Sequence, residues 1–280
     1  MDVSLRSADE YCRQLTRGHY ENFVVAAPFL AANVRLDLAR FYAYCRTTDD
    51  LGDESGVYAG ARLARWRSEV EAMFAGEPPV HPVLYALRET IARRMLPSQP
   101  FLDLIAANEQ DQVVKSYESW PQLEAYCMLS AAPVGRVVLR IFDLDSASAA
   151  RLSDDVCIGL QLANHAQDVS RDERIGRSYL IASDVRNGGI VSAVKALTER
   201  ARALLASGRK LETMAPFALK LQLALYRLGG LAICDAIERL EYATDKARPA
   251  IGGTTLAGVL VHALCEAAFP QQEARDAKPA

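Results

Sequence analysis

The chain has 280 residues and half of them are hydrophobic, enough for a substantial core in one large domain or two small ones. Its net charge of −3 provides no broad basic field, which argues against a nucleic-acid partner. The six cysteines (Cys12, Cys45, Cys127, Cys157, Cys234, Cys265) lack CxxC spacing and read as mostly small buried residues, so disulfides and zinc are not indicated and a reducing cytoplasm fits. The opening MDVSLRSADE is polar and acidic, unlike a signal peptide, and no run of about 18 apolar residues marks a transmembrane helix.

Ser7 and Glu10 form a capping-box pattern that opens a helix through about Thr16. The segment GHYENFVVAAPFL (18–30) sets His19, Tyr20, Glu21 and Asn22 ahead of an apolar run; His19 reads either as a surface histidine at a helix junction or as a donor to phosphate. A helix begins at Asn33 or Arg35, and Gly56 offers a stop. Helical periodicity resumes over 58–74 and is broken by the prolines of GEPPVHP (76–82). Residues 83–95 and 100–113 read as two helices divided by Pro97 and Pro100. Ser119 and Gln122 open another through about Phe142, in which Pro133 and Gly135 predict a kink or a break. Ser153 is expected to cap the next helix, and Gly176 favours a loop. Further helices are expected over 190–206, 216–239 and 256–269, with Gly229 and Gly230 allowing a close helix approach. The polar stretch 271–280 is expected to be a disordered tail. No segment alternates as a strand, so the pattern predicts a single all-α domain with a ligand cavity between helices.

Two stretches carry chemistry. FYAYCRTTDDLGDE (41–54) places Asp49 and Asp53 four residues apart; QLANHAQDVSRD (161–172) repeats that spacing in Asn164, Asp168 and Asp172. Each helical residue turns about 100°, so four residues return to about 40° from the start and each set shares a face. A solvated acidic face is the plainer explanation, costing roughly 0.2–0.5 kcal/mol per like-charged pair, and it suffices for either set alone. Two sets among apolar neighbours such as Tyr42, Tyr44, Leu51, Leu160, Leu162 and Val169 point instead to partly buried carboxylates. Facing each other, they would form an oxygen cage suited to Mg²⁺, which binds through one or two carboxylates plus substrate phosphates. Arg174 and Arg177 then stand where a diphosphate needs positive charge, or are simply solvated.

Together these two stretches resemble the aspartate-rich motifs of the squalene/phytoene synthases, all-α enzymes that join prenyl diphosphates head to head. HYENF (19–23), HPVLYALRETI (81–91), YCMLSAAPVGR (126–136), RLGGLAICDAIE (227–238) and Gln167 are similar to the hydroxysqualene synthase branch of the bacterial hopanoid route. The resemblance runs from HYENF to EYA (241–243) and implies one isoprenoid-synthase-type helical bundle over residues 1–270 with a central active-site cavity. It implies Mg²⁺ held by Asp49, Asp53, Asn164, Asp168 and Asp172, and a catalytic set of Tyr42, Arg46, Asp49, Asp53, Asp168 and Tyr179. Substrate contacts are implied for His19, Tyr20, Glu21, Asn22, Phe23, Tyr42, Arg46, Tyr126, Gln161, Arg174, Arg177 and Tyr242. Phe23, Tyr126 and the 131–134 bend would line a prenyl channel; Asp111 falls where the family often has an aspartate, without an assigned role. The chain departs from the family at Gln167, where many members carry arginine, and at His165, Ser178 and Ile181.

The implied reaction converts presqualene diphosphate to hydroxysqualene by ionisation and water capture, without NADPH. Alternatives are condensation of two farnesyl or geranylgeranyl diphosphates to presqualene diphosphate, squalene or phytoene, a catalytically inactive assembly factor, and a lipid-binding module. The expected setting is cytoplasmic, with a prenyl diphosphate substrate, no nucleic acid, and transient peripheral contact at the inner face of the membrane. Oligomeric state is left open.

Overall fold

The computed structural model describes residues 4–18 and 29–268; the expected contacts at 19–23 and the tail at 271–280 lie outside them. The described chain is helical: α1 (Leu5–Gly18), α2 (Ala32–Asp53), a 3₁₀ turn (Gly56–Tyr58), α3 (Ala59–Phe74), α4 (Pro82–Arg94), α5 (Gln99–Val113), α6 (Trp120–Ser130), α7 (Ala132–Ile141), α8 (Ala147–Gln167), α9 (Val169–Arg174), α10 (Ala182–Met214), α11 (Phe217–Arg239) and α12 (Gly253–Ala268). Among the described residues the only β pairing is an isolated parallel bridge between Tyr117 and Ile181.

Local chemistry explains most boundaries. Pro82 opens α4, where its missing N–H costs nothing, and His81 Nδ1 accepts from the Val83 N–H at 3.3 Å. The break expected near Pro133 falls at Ala131 (φ −118°, ψ −50°), because Pro133 cannot donate to the carbonyl one turn back. Three expectations need correction. Ser4, not Ser7, caps α1: its Oγ accepts from Ser7 N–H at 3.2 Å. Ser146, not Ser153, caps α8 through Ala149 N–H at 3.2 Å, since the alanine-rich stretch after it is already good helix. Ser153 instead lies buried within α8. Finally, α10 extends well beyond 190–206 at both ends; Gly189 (φ 78°) interrupts it, so its long second stretch does begin where the periodicity placed it.

Two hydrophobic cores adjoin. The first gathers Phe41, Tyr44, Trp66, Leu84, Phe101 and Leu139 from α2, α3, α4, α5 and α7. The second gathers Leu123, Leu162, Val194, Leu205 and Ile233 from α6, α8, α10 and α11. Polar ties fix α2 within the first: Tyr44 OH donates to the Phe101 carbonyl at 2.8 Å, and Arg40 pairs with Asp9 at 2.7 Å and 3.0 Å. Removing one partner of such a buried pair costs about 3–5 kcal/mol. Gly230 permits the close approach of α11 to α8 and α10, since a Cβ there would lie 2.7 Å from Leu160 and 2.9 Å from Leu205; Gly229 faces open space. α11 is long and apolar enough to cross a membrane, yet most of that surface packs against its neighbours in the fold.

Candidate active site

A cavity of about 420 Å³ lies at the seam of the two cores, between α2, α7, α8 and α11. That is within the ordinary range for small-molecule pockets, about 300–1,000 Å³. Its two facing walls are helical stripes. On α2, Leu38 and Phe41 give way to Tyr42, Cys45 and Arg46; on α8, Val156, Cys157 and Leu160 give way to Gln161 and Asn164. Both stripes therefore turn from apolar to polar toward the helix C-termini. Val134 and Val138 of α7 and Leu223 and Tyr226 of α11 complete the apolar wall, while Arg171 of α9 joins the polar end.

The acidic residues continue these stripes. Asp53 is the last residue of α2, and Asp168 is the C-cap of α8. Both lie at the negative end of a helix dipole, a position that cations complement. The helix breaks at Asp168 (φ −100°, ψ 14°), but Asp168 N–H still donates to Asn164 O and Asp172 N–H to Asp168 O, both at 2.9 Å, so the four-residue spacing survives. The two acidic segments are linked directly: Arg177 donates to Asp53 at 2.8 Å.

Asp49 faces open space yet is ringed by protein, and that crowding pushes its pKa up to about 7; Asp53 adds to the rise and the Asn108 amide, donating at 3.1 Å, opposes it. Burial and the neighbouring Asp168 charge likewise push Asp172 up to about 7. Arg177 is disfavoured by burial but held above its ordinary value by Asp53 and Asp111. Asp111, raised by burial, accepts from Tyr126 OH at 2.8 Å and Tyr179 OH at 3.1 Å. His165 stacks on Tyr179 with ring centroids 3.8 Å apart, and burial lowers its pKa to about 3, so it is neutral.

These donors fit a hard divalent cation. Among the described residues no three His, Cys, Asp or Glu side chains converge as a closed chelate. They form pairs, Asp49 with Asp53 and Asp168 with Asp172, in which burial and the partner's charge oppose ionisation of Asp49 and of Asp172. The Asn164 Oδ1 atom is buried without a hydrogen-bond partner, an oxygen left open to a ligand. Paired carboxylates that need further oxygens from a phosphate are the usual manner of Mg²⁺ binding.

Residues 16–254 match the family model described as squalene/phytoene synthase. The chain belongs to the squalene/phytoene synthase family. It is 32% identical to the hydroxysqualene synthase of Zymomonas mobilis over 227 residues, covering 80% of this chain and 74% of that protein. It is 31% identical to the chloroplastic phytoene synthase 3 of Zea mays, covering 69% of this chain and 47% of the maize protein. The match to the Rhodopseudomonas palustris hydroxysqualene synthase is 35% identical and covers 54% of that protein, so the chain spans about half the length of these two relatives. The crystal structure of squalene synthase HpnC from Alicyclobacillus acidocaldarius superposes with a TM-score of 0.80 at 43% identity, covering 86% of this chain and 97% of that one.

Within this squalene/phytoene synthase fold, Tyr42, Arg46, Gln161 and Asn164 line the cavity, as does the 131–134 bend through Ala131 and Val134. Tyr126 and Tyr179 do not; they sit beside the cavity in the aromatic cluster held by Asp111. Asp172, Arg177, Tyr179 and His165 share a separate narrow crevice. Arg174 is exposed and donates to the Ser170 carbonyl of its own turn at 3.0 Å. Tyr242 lies off the cavity wall in a left-handed turn (φ 62°) after α11. Sequence reasoning missed Arg171, Asn108, Tyr226 and Arg248. The first had a usable signal, since it continues the α8 stripe seven residues beyond Asn164; the others are brought in from distant segments.

Proposed function

We propose that the chain is a Mg²⁺-dependent prenyl-diphosphate-processing synthase that converts presqualene diphosphate to hydroxysqualene. The observation that carries this reading is the graded cavity: an apolar wall that turns polar along two helices at once, at Arg46 and Asn164, with the paired carboxylates about one turn further along the same helical stripes. An apolar chain gains about 0.8 kcal/mol per buried CH₂ in such a wall. At the polar end, Asp49, Asp53, Asn164, Asp168 and Asp172 would hold the metal. Bound there, Mg²⁺ supplies Lewis-acid stabilisation of charge on the departing diphosphate oxygens. Arg46, whose Nε is buried without a hydrogen-bond partner, and Arg171 add donors aimed at the same charge. Tyr42 sits between the two chemistries, its pKa raised by burial, so it stays neutral and presents a hydroxyl rather than a phenolate. The surrounding apolar side chains exclude bulk water, so the carbocation left behind meets water only where the wall admits it. The C–O bond to diphosphate breaks, the cyclopropylcarbinyl cation rearranges and its ring opens as a water oxygen bonds to a ring carbon, and the released proton passes to the diphosphate or solvent.

Head-to-head condensation to squalene is the second reading, favoured by the 43% identity to the squalene synthase HpnC. NADPH is not expected for the first reading. A cytoplasmic location with transient contact at the inner membrane face belongs to the proposal, supported by the exposed Leu256, Leu260, Val261 and Leu264 on α12. The test is product analysis by mass spectrometry, with Mg²⁺ and either presqualene or farnesyl diphosphate, with and without NADPH. Hydroxysqualene from presqualene diphosphate without NADPH supports the proposal. Squalene or presqualene diphosphate from farnesyl diphosphate moves the chain to the second reading, and diphosphate release from neither substrate rejects both.

A further inference from the structure

The segment after α11 is tied across the end of α8 as a strap. Ser170 N–H donates to the Thr244 carbonyl at 3.3 Å, and the buried Gln167 amide donates to the Pro249 carbonyl at 2.7 Å. Between those ties Arg248 pairs with Asp168. The strap leaves α11 through two consecutive left-handed residues, Glu241 (φ 50°) and Tyr242 (φ 62°), which non-glycine residues adopt at a cost, so its course is specified rather than incidental. Gln167 does not face the cavity; its amide holds the strap.

Arg248 thus occupies one of the carboxylates that the proposed function gives to the metal. The pair is exchangeable, since the arginine side chain is 39% exposed and the aspartate 19%; partly solvated pairs of this kind are worth little net free energy. A divalent ion that takes Asp168 releases the guanidinium beside a doubly charged cation. That like-charge conflict is relieved only by an anion. On the proposed reading of the site, the anion is a diphosphate.

We propose that Arg248 couples metal binding to diphosphate binding: it holds Asp168 against the divalent ion while diphosphate is absent, and becomes a ligand of the diphosphate once the ion has displaced it. Arg248 thereby suppresses metal loading of the empty site and favours binding of both together.

The test is calorimetric titration of the full chain with Mg²⁺, with and without inorganic pyrophosphate, on the native protein and on Arg248→Gln, Gln167→Leu and Asp168→Asn. Arg248→Gln should bind Mg²⁺ alone several-fold more tightly, and the enhancement of Mg²⁺ affinity by pyrophosphate should fall by about tenfold, inside the usual range of coupling factors. Gln167→Leu, which unties the strap but keeps the arginine, should move both quantities the same way by less. A merely structural arginine would weaken Mg²⁺ binding or leave it unchanged, and either result overturns the proposal. Thermal melting of each variant separates misfolding from lost coupling. If Asp168→Asn binds Mg²⁺ as the native protein does, the metal reading of the site itself fails. If that variant loses affinity while Arg248→Gln behaves like the native protein, only the coupling role falls.

Discussion

The two acidic segments share a spacing and differ in how they are held. Asp49 and Asp53 ride on the unbroken end of α2, and Asp49 is oriented by a side chain, the Asn108 amide of α5. Asp168 and Asp172 straddle a helix break, and Asp168 is held by the Arg248 side chain, on a strap eighty residues further along the chain. One half of the site is fixed by an unbroken helix and a neutral amide, and the other by an ion pair that can be exchanged. Such a division lets one wall hold its geometry while the other changes partner.

Breaking either half should remove turnover. Asp49→Asn and Asp168→Asn should each lower kcat by about 10²–10³-fold, the size of effect seen when a group that stabilises developing charge is lost. Steady-state diphosphate release would measure it, and retained turnover in either variant would remove that residue from the site. The apolar wall is broken at Gly230. Gly230→Ala would force a methyl into Leu160 and Leu205 and should destabilise by about 1–3 kcal/mol in thermal denaturation. Gly229→Ala meets nothing and should be neutral or stabilising by up to about 1 kcal/mol, so equal effects at the two glycines would disprove the close approach.

A smaller effect sharpens the polar end. Among the described residues Arg171 makes no ion pair, unlike Arg46, Arg177 and Arg248, so its charge is available to substrate. Arg171→Gln should raise KM about tenfold, or about 1.4 kcal/mol, with kcat less affected; an unchanged KM would exclude it. A further effect concerns acid stability. Burial lowers His165 from 6.5 to about 3, so below pH 6.5 the unfolded chain binds a proton that the folded chain refuses. Stability from this group is intact above pH 6.5 and falls by up to about 1.4 kcal/mol per pH unit as pH drops toward 3. The raised carboxyls Asp49 and Asp172 act in the opposite sense, favouring the fold as pH falls below 7. The difference between native and His165→Phe urea midpoints, followed from pH 7 to 5, isolates the histidine; parallel curves would show that it is not neutral in the fold.

Much of the architecture was legible because it depends on near neighbours. Prolines and glycines marked the breaks, and the four-residue acidic spacing continues, beyond Arg46 and Asn164, the two helical stripes that line the cavity. Ser153 was misread as a cap because a serine before a helical run looks the same whether it starts the helix or faces a notch at Gly135. Asn108 and Arg248 were invisible because each meets its aspartate only after the chain has folded back, and nothing local in NEQDQ or DKARP announces it. Tyr126 was expected in the channel, and the buried Asp111 that draws it aside has no local signature either.

Two thiols stand in the cavity wall, Cys45 and Cys157. A thiolate beside an allylic or cyclopropylcarbinyl cation would alkylate itself and end the life of the protein in one turnover. Burial prevents that: it lifts Cys45 well above its ordinary value and Cys157 to about 12, so both remain protonated and poorly nucleophilic near neutral pH. On the proposed function, the dryness that would let an electrophile survive in the cavity also disarms the groups nearest to it, so self-inactivation would be avoided without removing sulfur from the wall.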